Sequence, residues 1–210
     1  SVLCIRDRAK ASPDYAVLGG WLLADGGNVP TANSEWFSLT ITRDTAPQFF
    51  TKAQSGQRVI ASWELLATLF GIYLWVPNGR ASNGYRSLSG ATDNQGNSFV
   101  VSKLLTSKFP LNAVLIEVAA TLEARRCWLD LYWRQRDLNV EVGALTNEEF
   151  DGFAPGKMIE VSWPFAPFTV LNSFLDAGVD LYNETEHLKL EKGTARQAKR
   201  AMRKPKRIRD

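Results

Sequence analysis

Two acidic residues stand where a folded chain could bring carboxylates together for chemistry. Glu64 lies in the run Ser-Trp-Glu-Leu-Leu-Ala-Thr-Leu, Ser62 to Leu69, at the head of a long apolar segment. Asp93 follows the strand-like run Leu88 to Thr92 and precedes Asn94-Gln95-Gly96-Asn97. Carboxylates converging from a helix and from a strand end suit the binding of divalent cations for phosphodiester hydrolysis. That reaction uses two metals about 4 Å apart, one activating water and one stabilising the leaving oxygen, held by several carboxylates. Each acid also has a plainer reading. Glu64 near a helix N-terminus complements the helix dipole, and Asp93 before a helix is a common cap. The one histidine, His187, is distant in sequence from both and reads as a surface helix residue. No Ser–His or Cys–His couple is therefore available for nucleophilic catalysis. Gly19-Gly20 lacks the spacing of a phosphate-binding loop and reads as a place where a strand packs closely beside Trp21. Arg125-Arg126 and Arg134-Gln135-Arg136 flank the last strand, either as the lining of a nucleic-acid groove or as solvated ends of elements.

The elements that must position these side chains follow from hydrophobic periodicity. Val2–Arg8, Tyr15–Leu23 and Trp36–Thr42 read as three strands joined by the turn-rich links Ser12-Pro13-Asp14 and Asp25-Gly26-Gly27-Asn28, an antiparallel meander. After a Gln/Ser/Gly-containing link, Ser62 is the expected N-cap of a helix running to about Trp75. That helix is apolar nearly all round and so deeply buried; Pro77-Asn78-Gly79 ends it. A strand over Arg86–Thr92, helices over 97–107 and 111–126, a strand over Trp128–Trp133 and a short helix or turn over 137–146 come next. The segment from Trp163 to Phe168 reads as extended, and Val170–Lys192 as a final helix. Hairpins followed by strand and helix in alternation predict an α/β fold with a mixed sheet and packed helices.

Charge is unevenly spread. The chain carries +3 overall, yet from Lys189 onward there are ten Lys or Arg against Glu191 and Asp210, a net of +8. The body before it has fifteen basic and twenty acidic residues, a net of −5. A basic segment on an acidic body points to a polyanionic partner reached through counterion release, with Lys199, Arg200, Arg203, Lys204, Lys206 and Arg207 as candidate nucleic-acid contacts; a solvated terminus is the bland reading. Seven Trp and eleven Phe require burial in the fold, in a partner or on stacked bases. Cys4 and Cys127 fall in separate strands without zinc-site spacing and read as reduced, buried thiols. No run of about 18 apolar residues and no secretory leader is visible, which reads as a soluble, intracellular protein. The chain opens at Ser1 inside a strand pattern, as a processed or trimmed product would.

Five runs carry a family resemblance when taken together: Gly19-Gly20-Trp21, Ile60-Ala61-Ser62-Trp63-Glu64-Leu65-Leu66-Ala67-Thr68-Leu69, Thr92-Asp93-Asn94-Gln95-Gly96-Asn97, Ser107-Lys108-Phe109-Pro110 and Ala144-Leu145-Thr146-Asn147. Over about Val2 to Phe168 the chain resembles RNase H-like domains of retroelement polyproteins, in particular reverse-transcriptase-associated sequences of dinoflagellate-type protists. The resemblance implies an RNase H-like mixed five-stranded sheet, three antiparallel strands and then parallel ones, with flanking helices. It also implies a nuclease that cuts RNA in RNA–DNA hybrids with Mg2+ as cofactor, and Glu64 and Asp93 as metal ligands. Two positions depart from the family pattern. Where the family has Asp before Ala-Lys-Ala, this chain has Arg8, with Asp7 one position earlier; where it has Asp before Ala-Leu-Thr-Asn, this chain has Gly143, with Glu141 two positions earlier. Strand side chains alternate faces, so Asp7 replaces the lost ligand only through a bulge. Glu141 sits at a helical spacing that faces away.

The organisation read from these features is an RNase H-like domain over 1–168, a C-terminal helix over 169–192 and an extended or disordered basic tail over 193–210. The adopted function is a degenerate domain, a pseudoenzyme that binds nucleic acid or protein without cutting. An active Mg2+-dependent ribonuclease H, with Asp7 or Glu141 recruited to the metal site, is the first alternative. A domesticated structural subunit of a large protein or ribonucleoprotein assembly is the second.

Overall fold

The computed structural model describes residues 3–23, 30–50, 59–78 and 84–202. Three antiparallel strands open it: β1 (Leu3–Ala11), β2 (Tyr15–Leu23) and β3 (Trp36–Thr42). β4 (Arg86–Thr92) then lies parallel to β1, and β5 (Cys127–Trp133) parallel to β4, which gives the order β3-β2-β1-β4-β5. This is the expected RNase H-like mixed sheet of five strands. The β2 and β3 boundaries match the periodicity reading, because both strands alternate buried and exposed positions or run wholly apolar between turn residues. The links at 24–29 and 51–58 and Gly79 lie outside the described residues.

Among the described residues the α-helices are α1 (Ile60–Trp75), α2 (Gln95–Lys103), α3 (Leu111–Ala124), α4 (Val140–Thr146) and α5 (Leu171–Met202), the last packed on α3. As its all-round apolar sequence requires, α1 is buried from Ser62 to Ile72 and packs between the sheet and α3. Ile5 and Ala9 of β1, Leu18 of β2 and the α3 residues Val114 and Val118 join it in the main core. On the opposite face α4 seals a smaller core of Trp21, Trp36, Val142, Leu145 and Phe153.

Several boundaries differ from the sequence expectation, each for a local reason. α1 begins at Ile60 with Val59 as N-cap and no side-chain cap bond, so Ser62 is an interior, buried residue. α2 starts two residues earlier than expected because Asn94 caps it, its side chain accepting from the Asn97 amide at 3.3 Å. It ends at Leu104, which adopts the left-handed conformation. Trp163–Phe165 forms a short 3-10 turn where extended chain was expected. The final helix runs to Met202, so 193–202 is helical where an extended or disordered tail was expected. Trp133 is exposed at the end of β5. Cys127 is a free, buried thiol, as expected, and burial raises its pKa.

Gly19 fixes how closely α4 approaches the sheet. A Cβ there would come within 2.8 Å of Leu145 Cβ and 3.3 Å of Thr146 Cγ2, both in a packed helix. Ser38 holds the same helix from β3, donating to the Leu145 carbonyl at 3.1 Å. Gly19→Val is therefore expected to push α4 off β2 at a cost of about 2 kcal/mol, the usual scale of core overpacking. Chemical denaturation checks this, and an unchanged midpoint would remove the close-approach argument.

Candidate functional site

A crevice opens where β1 parts from β4. Their parallel pairing runs from Leu3↔Leu88 to Arg6↔Ala91 and stops, while β1 continues to Ala11 beside β2 alone. Beyond that fork lie Arg8 on one side and Asp93, just past the end of β4, on the other. Clefts outside the carboxyl ends of parallel strands, where the sheet order switches direction, are where α/β folds place their sites. α1 supplies Glu64 from below, and α4 closes the crevice with Gly143.

Glu64 and Asp93 meet here. Glu64 is buried, in the second turn of α1, which moves it out of the first turn that the dipole reading assumed. Its Oε2 accepts a 2.6 Å hydrogen bond from Asn94 Nδ2. Burial pushes its pKa up to about 7; Asp93 adds to that, while the Asn94 hydrogen bond, Arg136 and Arg8 pull the other way. The Asp93 side chain is 2% exposed. Because Asn94 is the residue that caps α2, Asp93 is free of the capping role its position suggested.

Two guanidinium groups converge on Asp93. Arg136 Nε donates to Asp93 Oδ2 at 3.0 Å, and Arg8 Nε lies 3.6 Å from the same oxygen. Asp93 Oδ1 is buried and accepts no hydrogen bond among the described residues. Arg8 reaches on past Asp93 until its Nη1 lies against the α carbon of Gly143, in the space that a Cβ at 143 would fill. Asn97 completes the wall, donating from Nδ2 to the Ala61 carbonyl at 2.8 Å and so tying α2 to the first turn of α1.

The other sequence candidates fall elsewhere. The register between β1 and β2 is unbroken from Cys4↔Leu23 to Ala11↔Ala16, so the bulge that would bring position 7 onto the face of Arg8 is absent. The Asp7 side chain lies outside the described atoms. Glu141 is half-buried on α4, and no third carboxylate joins Glu64 and Asp93 among the described residues. Lys199 and Arg200 occupy backbone positions in α5, whereas Arg203, Lys204, Lys206 and Arg207 lie outside the described residues. His187 is an exposed helix residue facing Glu191 at 3.4 Å. Arg125, read as a groove residue or a solvated end, is neither. It is buried, and Nη1 donates to the carbonyls of Ile72 at 2.7 Å, Tyr73 at 3.1 Å and Val76, capping the end of α1.

Sequence reading named Arg136 only as a groove residue or a solvated end, and assigned Asn94 and Asn97 no role. Arg136 sits in a turn after β5 and, 43 residues from Asp93, gives no local sign of its partner. Asn94 and Asn97 stand in the run Asn-Gln-Gly-Asn, whose helix-capping character was the one available signal.

Two Mg2+ ions need several carboxylate oxygens. Here Oδ2 of Asp93 is already paired with two cations of the protein itself, and Arg8 fills the place opposite Gly143. The residues present do not fit a metal pair.

No family model matches the sequence, and no curated protein matches it. Among solved structures, RNase H1 from the halophilic archaeon Halobacterium salinarum NRC-1 is similar at 15% identity, over 72% of this chain and 98% of that one, with a TM-score of 0.46. LC11-RNase H1, in complex with an RNA/DNA hybrid, is similar at 14% identity over 71% and 96%, with a TM-score of 0.46. The N-terminal RNase H domain of Rv2228c from Mycobacterium tuberculosis shows 15% identity over 72% and 95%, with a TM-score of 0.43. The strand order and directions described above, and not these likenesses, define the fold as RNase H-like.

Proposed function

We propose that this chain is a non-catalytic RNase H-like domain that binds nucleic acid, RNA or RNA–DNA hybrid, and descends from the nuclease domain of a retroelement reverse transcriptase. One observation carries the reading: the Arg8 guanidinium stands in the carboxylate crevice beside Asp93 and against Gly143. The scaffold remains while the groups that would hold two cations do not. The basic residues at the end of α5 supply the charge for a polyanion.

A labelled RNA–DNA hybrid incubated with the full chain and Mg2+ is expected to be bound and left uncut, with the same affinity in EDTA. Truncation before Lys189 is expected to weaken binding and flatten its salt dependence. Hybrid cleavage that depends on Mg2+ and is lost in both Glu64→Gln and Asp93→Asn would overturn the proposal in favour of the active enzyme.

A second reading, a subunit docked in a larger assembly, is favoured by the edge strand β5. Trp128 is 67% exposed there with its ring 5.3 Å from that of Tyr85; Tyr132, further along the same face, and Trp133, on the other, are exposed too. So many exposed aromatics are more than a free sheet edge usually carries.

A further inference from the structure

The carboxylate crevice contains its own cation, and the structure shows what makes room for it. Arg8 enters from β1 opposite Gly19, a residue with no side chain to obstruct it. It passes Asp93 Oδ2 at 3.6 Å and ends against Gly143. Any side chain at 143 would begin where Arg8 Nη1 now lies. Arg8 and Gly143 are thus sterically interdependent, although 135 residues separate them in sequence. The charge is interdependent too. Asp93 is nearly fully buried, and a buried carboxylate without a cation is costly; removing Arg8 would leave it the more exposed Arg136 alone.

We infer that the Arg8 guanidinium is the resident cation of this pocket, its tip lying in the space left by the missing side chain at position 143, and that it excludes divalent metal ions from Glu64 and Asp93. This rests on the non-catalytic reading and deepens it, since it assigns the loss of metal binding to one coupled pair of positions. The pair also sets an order of effects. Gly143→Asp alone presents a carboxylate to the flexible end of Arg8, which gives way and pairs with it, so the cation stays. Arg8→Asp removes the guanidinium and opens the pocket. Only after that change does a carboxylate at 143 face an empty space among Asp93, Glu64 and position 8, with the unsatisfied Asp93 Oδ1 available as a further ligand atom.

The test is a Mn2+ titration of the full chain by calorimetry, with circular dichroism to verify folding. Wild type and Gly143→Asp are expected to show no saturable binding, and the double variant Arg8→Asp/Gly143→Asp to bind with a Kd below about 1 mM, at least about tenfold tighter than Arg8→Asp alone. Arg8→Gln, which deletes the charge and keeps the bulk, is expected to bind Mn2+ more tightly than wild type. It stands in should the double variant not fold. The inference fails if wild type binds Mn2+ in a manner lost on Asp93→Asn, if Gly143→Asp alone gains as much as the double variant, or if neither the folded double variant nor Arg8→Gln gains over wild type. Hybrid cleavage by the wild type tests the underlying reading separately. A chain that leaves the hybrid uncut but lacks the coupled Mn2+ response sinks only the assignment to Arg8 and Gly143.

Discussion

Replacing Glu117 by alanine is expected to lower the melting temperature by about 10 °C, a loss of about 3 kcal/mol at two to four degrees per kilocalorie for a chain of this size. Glu117 is fully buried in the middle of α3. Its Oε1 accepts from Tyr73 Oη and the Thr169 amide, both at 2.8 Å, and its Oε2 from the amides of Val170 and Leu171, both at 2.7 Å. One carboxylate therefore joins α1, α3 and the entry to α5, binding the amides of Thr169 and Val170 just before the helix and that of Leu171 at its first position, where a helix leaves its amides unsatisfied. Alanine strands these donors in a core containing Leu171 and Leu175, and a buried polar group without its partner costs about 1–3 kcal/mol. Water recovers part of the loss at Thr169, which is exposed. Hydrogen exchange gives a second readout, since the amides of 169–171 are expected to lose protection before those of α1. A melting temperature within about 2 °C of wild type would show that α5 docks through its apolar face alone.

Glu117 also marks what the sequence conceals. In Leu-Asn-Ala-Val-Leu-Ile-Glu-Val-Ala-Ala the glutamate looks like an ordinary polar position of an amphipathic helix. Its partners are 44 to 54 residues away, so no local pattern reveals them. By contrast β2, β3, β4 and α1 were legible, because their apolar periodicity and flanking turn residues act within a single element. The site was legible in the same measure. Glu64 and Asp93 stand at element ends whose order fixes their meeting, and Arg8 announces itself as a cation in a strand. What the linear chain could not convey is that Arg8 reaches Gly143 and shares Asp93 with Arg136, a consequence of where β1 separates from β4 and how closely Gly19 lets α4 approach. Arg125 was misread for the same reason: its role is set by the end of α1, some fifty residues earlier.

Glu64 makes the fold less stable as pH rises. Its folded pKa of about 7 stands above the unfolded value of 4.5. At pH below 4.5 both states hold the proton and the group contributes no penalty. As pH rises from 4.5 to 7 the unfolded chain gives up its proton while the folded chain keeps it, so stability falls by about 1.4 kcal/mol per pH unit. Above 7 the folded state also ionises, and the penalty levels off at about 3 kcal/mol. Glu64→Gln retains an oxygen to accept from Asn94 Nδ2 and removes the ionisation, so the variant is expected to exceed wild-type stability by less than about 1 kcal/mol at pH 5 and by about 3 kcal/mol at pH 8. Urea denaturation of both chains at the two pH values gives the difference directly. An equal gain at pH 5 and pH 8 would mean that burial does not hold the proton on Glu64, and that Arg8 and Arg136 already stabilise its charge. The same comparison in Arg8→Gln separates the two effects. With the resident guanidinium gone, the pH-dependent penalty on Glu64 is expected to grow, because one of the two opposing cations is lost while burial remains.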